Sequence, residues 1–335
     1  MSQILEGHFG WGREDYNDVQ NRVEEDRKIE KFSADHGIVC SVADAAGSAV
    51  LQAKAMEKLK SFFKFDEGFD FMVAERLVYG LSESETLMII QNIGNCVGNS
   101  HTCLLASKYA HEIFALGDGD SPLGQKNMAS PFVAYSYGVG RMEGNMLGPS
   151  DGSYCGAQMQ GTLKWGFLPA DTEGLEVYGS LPQGTSNAGR LFGRSKAEIM
   201  KWTGKAQPFQ MKEAPRAKTA QDVIDGITKK HIPFQICSGQ GFVYKGFDSK
   251  YGVHIYVPGG RWSHSMQLVA AFAIKGQWFV VIRNQWGQNK HKGSPEIGIA
   301  GGCMVITIEV LERWMRSSEV IGIGEIVGRR EKLAA

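Results

Sequence analysis

Gln91–Asn92–Ile93–Gly94–Asn95–Cys96–Val97–Gly98–Asn99–Ser100 is the stretch on which the fold turns, because it sets one cysteine between a glycine-containing loop and a long helical run. From Val97 to Phe114, apolar and small residues (Val97, Leu104, Leu105, Ala110, Phe114) recur at three- and four-residue steps, the period of a helix with one buried face. Cys96 is then a first-turn residue. Backbone N–H groups and the positive end of the helix dipole favour a thiolate there, so the pKa is expected below its free value of about 8.5. Such a cysteine is a candidate nucleophile, where most free cysteines are small buried hydrophobes.

Outward from that stretch, 335 residues of ordinary apolar content can bury one large core or two smaller ones. Lys+Arg and Asp+Glu both total 36, so no global field draws in nucleic acid or an anionic membrane. Six cysteines (Cys40, Cys96, Cys103, Cys155, Cys237, Cys303) are too sparse for a disulfide scaffold, and none forms a C-x-x-C pair. Free thiols are expected. The start, Met1–Ser2–Gln3–Ile4–Leu5–Glu6–Gly7, lacks a basic region followed by an apolar core, no apolar run approaches a membrane span, and there is no N-x-[ST] sequon. The expected setting is a reducing compartment, with a cytoplasmic protein or one carried in a virion.

Met1 to Phe32 is rich in charge and reads as an arm or solvated helix that docks on the body or on another subunit. His36 to Ser41 is short and apolar enough for a strand; Ala45 to Phe63 and Asp70 to Tyr79, the latter ending at Gly80, read as helices. Ser82–Glu83–Ser84–Glu85 is an acidic turn ahead of the cysteine loop. Beyond it, Gly117 to Pro122 reads as a turn and Phe132 to Tyr137 as a β-rich stretch, while Gly138 to Gly144 has the wrong spacing for a dinucleotide loop. Tyr154 to Trp165 and Ala220 to Lys230 are helix-like, and Tyr178 to Lys218 reads as a long surface excursion. From Pro233 the character changes to strand-like runs at Phe234–Cys237, Met266–Phe272, Trp278–Ile282 and Met304–Ile308. Mostly helical to about residue 230 and mostly β thereafter, the chain is expected to be an α+β protein of two lobes. Residues 1–84 would form an arm with accessory helices, 85–230 the helical lobe and 231–335 the β-rich lobe.

A cysteine nucleophile needs a base within hydrogen-bond reach and a polar group that holds the base in one tautomer. Trp262–Ser263–His264–Ser265–Met266 puts a histidine at the mouth of an apolar strand, and Asn284–Gln285–Trp286–Gly287 ends another. Cys96, then Ser263–His264–Ser265, then Asn284–Gln285–Trp286–Gly287 resembles the papain-like cysteine peptidases in residue type and order. The resemblance covers about residues 85 to 315 and includes the glycine-led Gly301–Gly302–Cys303–Met304. It implies a two-lobed fold, helical lobe with the cysteine and β-rich lobe with His and Asn, preceded by an N-terminal extension. It also implies a thioester acyl-enzyme, with Cys96, His264 and Asn284 as catalytic triad and Trp286 shielding the His–Asn bond. Gln91 would be an oxyanion donor, Gly152, Ser153 and Ser263 would meet substrate, and no cofactor or metal is called for.

The match has departures. Gln91 lies one residue closer to its cysteine than the family's glutamine does, Val97 replaces an aromatic, and Gln288–Asn289–Lys290–His291–Lys292 stands where the family has a second Trp-Gly. The leading function is a cysteine endopeptidase acting on a protein or peptide, with no nucleic-acid or membrane partner. A second reading keeps the fold for structural or assembly work, as in a phage particle, oligomerising through the arm; a third, a cell-wall amidase or lysin, fits the long cysteine-to-histidine interval poorly. His101 and His111 read as ordinary helix residues. His36 and Cys40 would need two further ligands to hold a metal.

Overall fold

The computed structural model describes residues 54, 56–91, 93–115, 130–179 and 186–327. The arm, the His36–Ser41 strand and the Gly117–Pro122 turn lie outside them.

The run Met266–Phe272 is buried throughout, Gln267 included, where a half-exposed strand would alternate, and the sheet explains why. Strand β4 (Val253–Ile274) is antiparallel to β3 (Phe234–Asp248) and to β5 (Gln277–Arg283). Its residues feed two cores in turn: Met266, Leu268 and Ala271 join one, Val269, Ala270 and Phe272 the other. A sheet covered on both faces has no place for alternation. Burying Leu268 and Phe272 completely stabilises the fold by roughly 2–3 kcal/mol each. β6 (Cys303–Thr307) pairs with β5 and touches the start of β4 at Ile255, so the sheet curls back on itself; β7 (Ser318–Gly322) flanks β3.

Residues 67–79, assigned from sequence to the N-terminal part, belong to the body. β1 (Glu67–Asp70) pairs with β4 at Ala270–Ala273, and the Asp70 carboxylate accepts from the Met72 N–H at 2.8 Å to start α1 (Phe71–Tyr79). Gly80 closes α1 at φ 68°, a left-handed turn that glycine adopts without strain. The central helix α2 (Cys96–Ala115) is buried from Cys96 to Phe114 on all sides, where the periodicity indicated a single buried face. Several of its polar side chains find partners inside: Ser100 meets Ser265 at 2.6 Å, His101 meets Thr162 at 2.6 Å, and Lys108 donates to the His231 carbonyl at 2.9 Å.

Phe132–Tyr137 is not β. Val133–Glu143 forms α3, which packs on α4 (Cys155–Trp165). A Cβ on Gly161 would lie 2.9 Å from the Val139 backbone, and one on Gly140 2.4 Å from Gln158, so small residues set the approach and packing overrides β propensity. The Tyr178–Lys218 excursion is likewise more ordered than expected. It carries α5 (Ser186–Phe192), α6 (Lys196–Met200) and α7 (Thr203–Ala206), whose Phe192, Ile199 and Trp202 form a small core with Phe132 and Tyr135. β2 (Gln210–Met211) pairs with β8 (Ile326–Val327). α8 (Ala220–Thr228), capped by Thr219 and Asp222, and α9 (Ile308–Met315) cover the sheet.

Cys155 and Cys237 are not free: they form a disulfide between α4 and β3, with Cα atoms 6.1 Å apart and a sequence separation of 82. Only the folded register brings them together; Cys96, Cys103 and Cys303 are free thiols, as expected for all six. Among the described residues no helix is long and apolar enough to cross a membrane.

Candidate active site

Asn95 accepts the first helical bond, from the Asn99 N–H at 2.9 Å, so Cys96 is the first residue of α2. Its sulfur lies where the N–H groups of Ser265, Val97 and Cys96 itself bear on it. Complete burial outweighs them: the thiol is pushed up to about 12, not down as the helix start alone would have it. The Ser265 contact is informative, because Ser265 follows His264 on β4 and so brings the cysteine to the histidine strand.

His264 sits within β4 rather than at its mouth, opposite Ser238 and beside an irregularity in the β3–β4 register. Its Nε2 donates to Asn284 Oδ1 at 2.8 Å, and the Trp286 ring stacks on it with centroids 4.7 Å apart and planes at 24°. Trp262 closes edge-on against both rings. Burial first, with the neighbouring His291 opposing and Asn284 assisting protonation, pulls the His264 pKa down to about 4, so the ring is neutral near pH 7.

Asn284 comes directly after β5, and its N–H donates to the Gly302 carbonyl at 3.2 Å. Its Oδ1 also accepts from the Gln285 N–H at 2.7 Å, while its Nδ2 faces His291 Nε2 at 3.0 Å. The preceding Arg283 is fully buried on Glu75, 2.6 Å away, and reaches Ser107 on α2, Thr86 and Gln267. The cysteine loop is tied to the same place: the Gln91 N–H donates to the Gln285 carbonyl at 3.1 Å. With its carboxamide oriented to suit its neighbours, Gln285 also bonds the Ser265 carbonyl, the Ser100 N–H and Gln267.

The remaining predicted residues are placed less simply. Gln91 Nε2 donates to the Ile93 carbonyl at 2.9 Å. Gly152 has both main-chain groups engaged, its N–H on the Tyr137 hydroxyl at 3.0 Å and its carbonyl on Arg141 Nη1 at 2.5 Å. Asp151 beside it accepts from the Gly94 N–H at 3.2 Å, which holds this wall to the cysteine loop. Ser153 is buried, and Ser263 is half-buried next to His264. Sequence reasoning missed His291 and Asp151; the loop bounded by Gly287 and Gly293 was the signal for the first. No group of three or more His, Cys, Asp or Glu able to hold a metal ion occurs among the described residues.

No protein-family model matches the sequence, and no curated protein does. Among solved structures, similar chains include xylellain, a cysteine protease from Xylella fastidiosa, at 14% identity and TM-score 0.48 over 78% of this chain and 87% of that one. Procathepsin B S9 from Trypanosoma congolense aligns at 12% identity and TM-score 0.46 over 78% of each chain. Digestive procathepsin L 3 of Tenebrio molitor larval midgut aligns at 10% and 0.40 over 91% and 98%.

Proposed function

We propose that this chain hydrolyses peptide bonds as a papain-like cysteine peptidase, with Cys96 as nucleophile, His264 as acid and base, and Asn284 orienting His264. The observation that carries the reading is the 2.8 Å bond from His264 Nε2 to Asn284 Oδ1 beneath Trp286. It commits Nε2 to carry the ring proton, so Nδ1 is the basic nitrogen. The Ser265 N–H at the Cys96 sulfur supports the pairing across the sequence.

In this reading thiol and imidazole both start neutral. Sγ attacks the peptide carbonyl carbon as its proton passes to His264 Nδ1. The carbon–nitrogen bond breaks, Nδ1 returns the proton to the leaving amine, and a thioester remains. Water, giving a proton to Nδ1, then attacks the thioester; the acid leaves and Cys96 recovers its proton. The oxyanion would lie on the Cys96 N–H, with Gln91 Nε2 as second donor after it leaves the Ile93 carbonyl; one such donor is worth about 3 kcal/mol. Gly152, whose main-chain groups are occupied, serves as a wall, and Ser153 and Ser263 are the contacts for substrate.

The test is labelling with an electrophilic peptide probe, followed by peptide mass mapping. Cys96→Ala should abolish the adduct while Cys103→Ala keeps it, and His264→Ala should suppress it. Equal labelling of the two cysteine variants removes Cys96 from the role.

A further inference from the structure

A carboxamide is nearly symmetric in shape, so something must decide which end of Asn284 faces His264. We infer that His291 is a positioning residue: by accepting a hydrogen bond from Asn284 Nδ2 it holds, together with the Gln285 N–H, the oxygen toward His264 and thereby supports the His264 tautomer. The inference rests on the peptidase reading for its kinetic consequence, though not for its structural one.

The geometry closes from both ends. Asn284 Oδ1 meets two donors, His264 Nε2 at 2.8 Å and the Gln285 N–H at 2.7 Å, while Nδ2 lies 3.0 Å from His291 Nε2. The Gln285 backbone N–H can only donate, so Oδ1 is the end beside it and His291 Nε2 must accept. His291 then carries its proton on Nδ1. Burial pulls its pKa down to about 4, which keeps it a neutral acceptor near pH 7. The ring is held in place: Tyr256 stands edge-on at 5.6 Å, the Gly302 N–H donates to the His291 carbonyl at 2.8 Å, and the Lys292 N–H donates to the Tyr256 hydroxyl at 2.9 Å.

Without that acceptor, the Nδ2 N–H is left buried and unpaired, and of the two groups that set the amide's orientation only the Gln285 N–H remains. An amide that rotates to find Nδ2 another partner carries Oδ1 away from His264 Nε2, which then has no acceptor for its proton. His264 then moves its proton to Nδ1, the nitrogen needed as base.

The experiment compares wild type, His291→Leu and His291→Gln, each as the full chain with histidine-selective 15N labelling and with kcat and KM for a peptide substrate. Wild type should show His291 protonated on Nδ1 and His264 on Nε2. His291→Leu should shift His264 toward the Nδ1–H tautomer and lower kcat about tenfold at unchanged KM. His291→Gln, whose Oε1 can accept in place of Nε2, should recover the wild-type tautomer and most of kcat. A wild-type His291 protonated on Nε2 overturns the inference without any variant, as does a His264 tautomer indifferent to His291→Leu. If wild type cleaves no peptide yet His291→Leu shifts the tautomer, the positioning stands and the peptidase reading falls.

Discussion

Cys96 shows how far one residue's chemistry departs from its local address. The start of α2 gives it two N–H groups and β4 a third, yet the buried thiol rises to about 12. Against the ordinary value of 9.0, the thiolate fraction near pH 7 is about a thousandfold smaller. Iodoacetamide, too small to carry groove contacts, should therefore modify Cys96 far more slowly in the folded chain than in urea, at a rate still climbing above pH 9. A plateau below pH 8, followed by mass mapping of Cys96, would show a thiolate already formed at rest. Cys96, His264 and Asn284 stood out in sequence as candidates because each adjoins a visible change of character: a loop before a helix, a polar triplet before the apolar half of β4, a strand end. Burial left no such mark, since it depends on groups far away in sequence, Ser265 among them.

At the scale of elements, β3 to β6 were legible because β-branched and aromatic runs announce strands, whereas α3 was misread because Phe132–Tyr137 carries the same composition. Gly140 on α3 acquires meaning only when α4 lies against it, and Gly138 only when Phe192 and Ile199 of α5 and α6 do. The joint between elements that matters most to the site is Arg283. Fully buried at the end of β5, it reaches Glu75 of α1 and Ser107 of α2, and so positions Asn284 against the helix that carries Cys96. Arg283→Met leaves the Glu75 carboxylate buried without its cation, and should cost about 3–5 kcal/mol in chemical denaturation. Changing both, Arg283→Met with Glu75→Leu, should return much of that loss. A single variant as stable as wild type would show that the pair does not join the elements.

Over the whole molecule, burial of imidazoles sets the response to acid. His231, His264 and His291 fall to about 4 and His101 to about 3, all from 6.5, with desolvation the leading cause in each. Between pH 6.5 and about 4 the unfolded chain binds protons that the folded chain refuses, so stability falls as pH drops through that window. Asp70 acts in the opposite sense, since burial raises it from 3.8 to about 6 and its folded form takes up a proton first. With His111, lowered well below 6.5 by the same burial, five rings against one carboxyl among the described residues give the sign: Tm at pH 5 should lie below Tm at pH 7 by calorimetry. A higher Tm at pH 5 would mean that those rings are solvated.

The Cys155–Cys237 link encloses the short helices α5 to α8 in a covalent ring. A protease that nicked the segment between those two cysteines would release nothing. Both pieces would travel as one particle until a reductant parted them, with the strand bearing the imidazole still shackled to the helix beside the thiol.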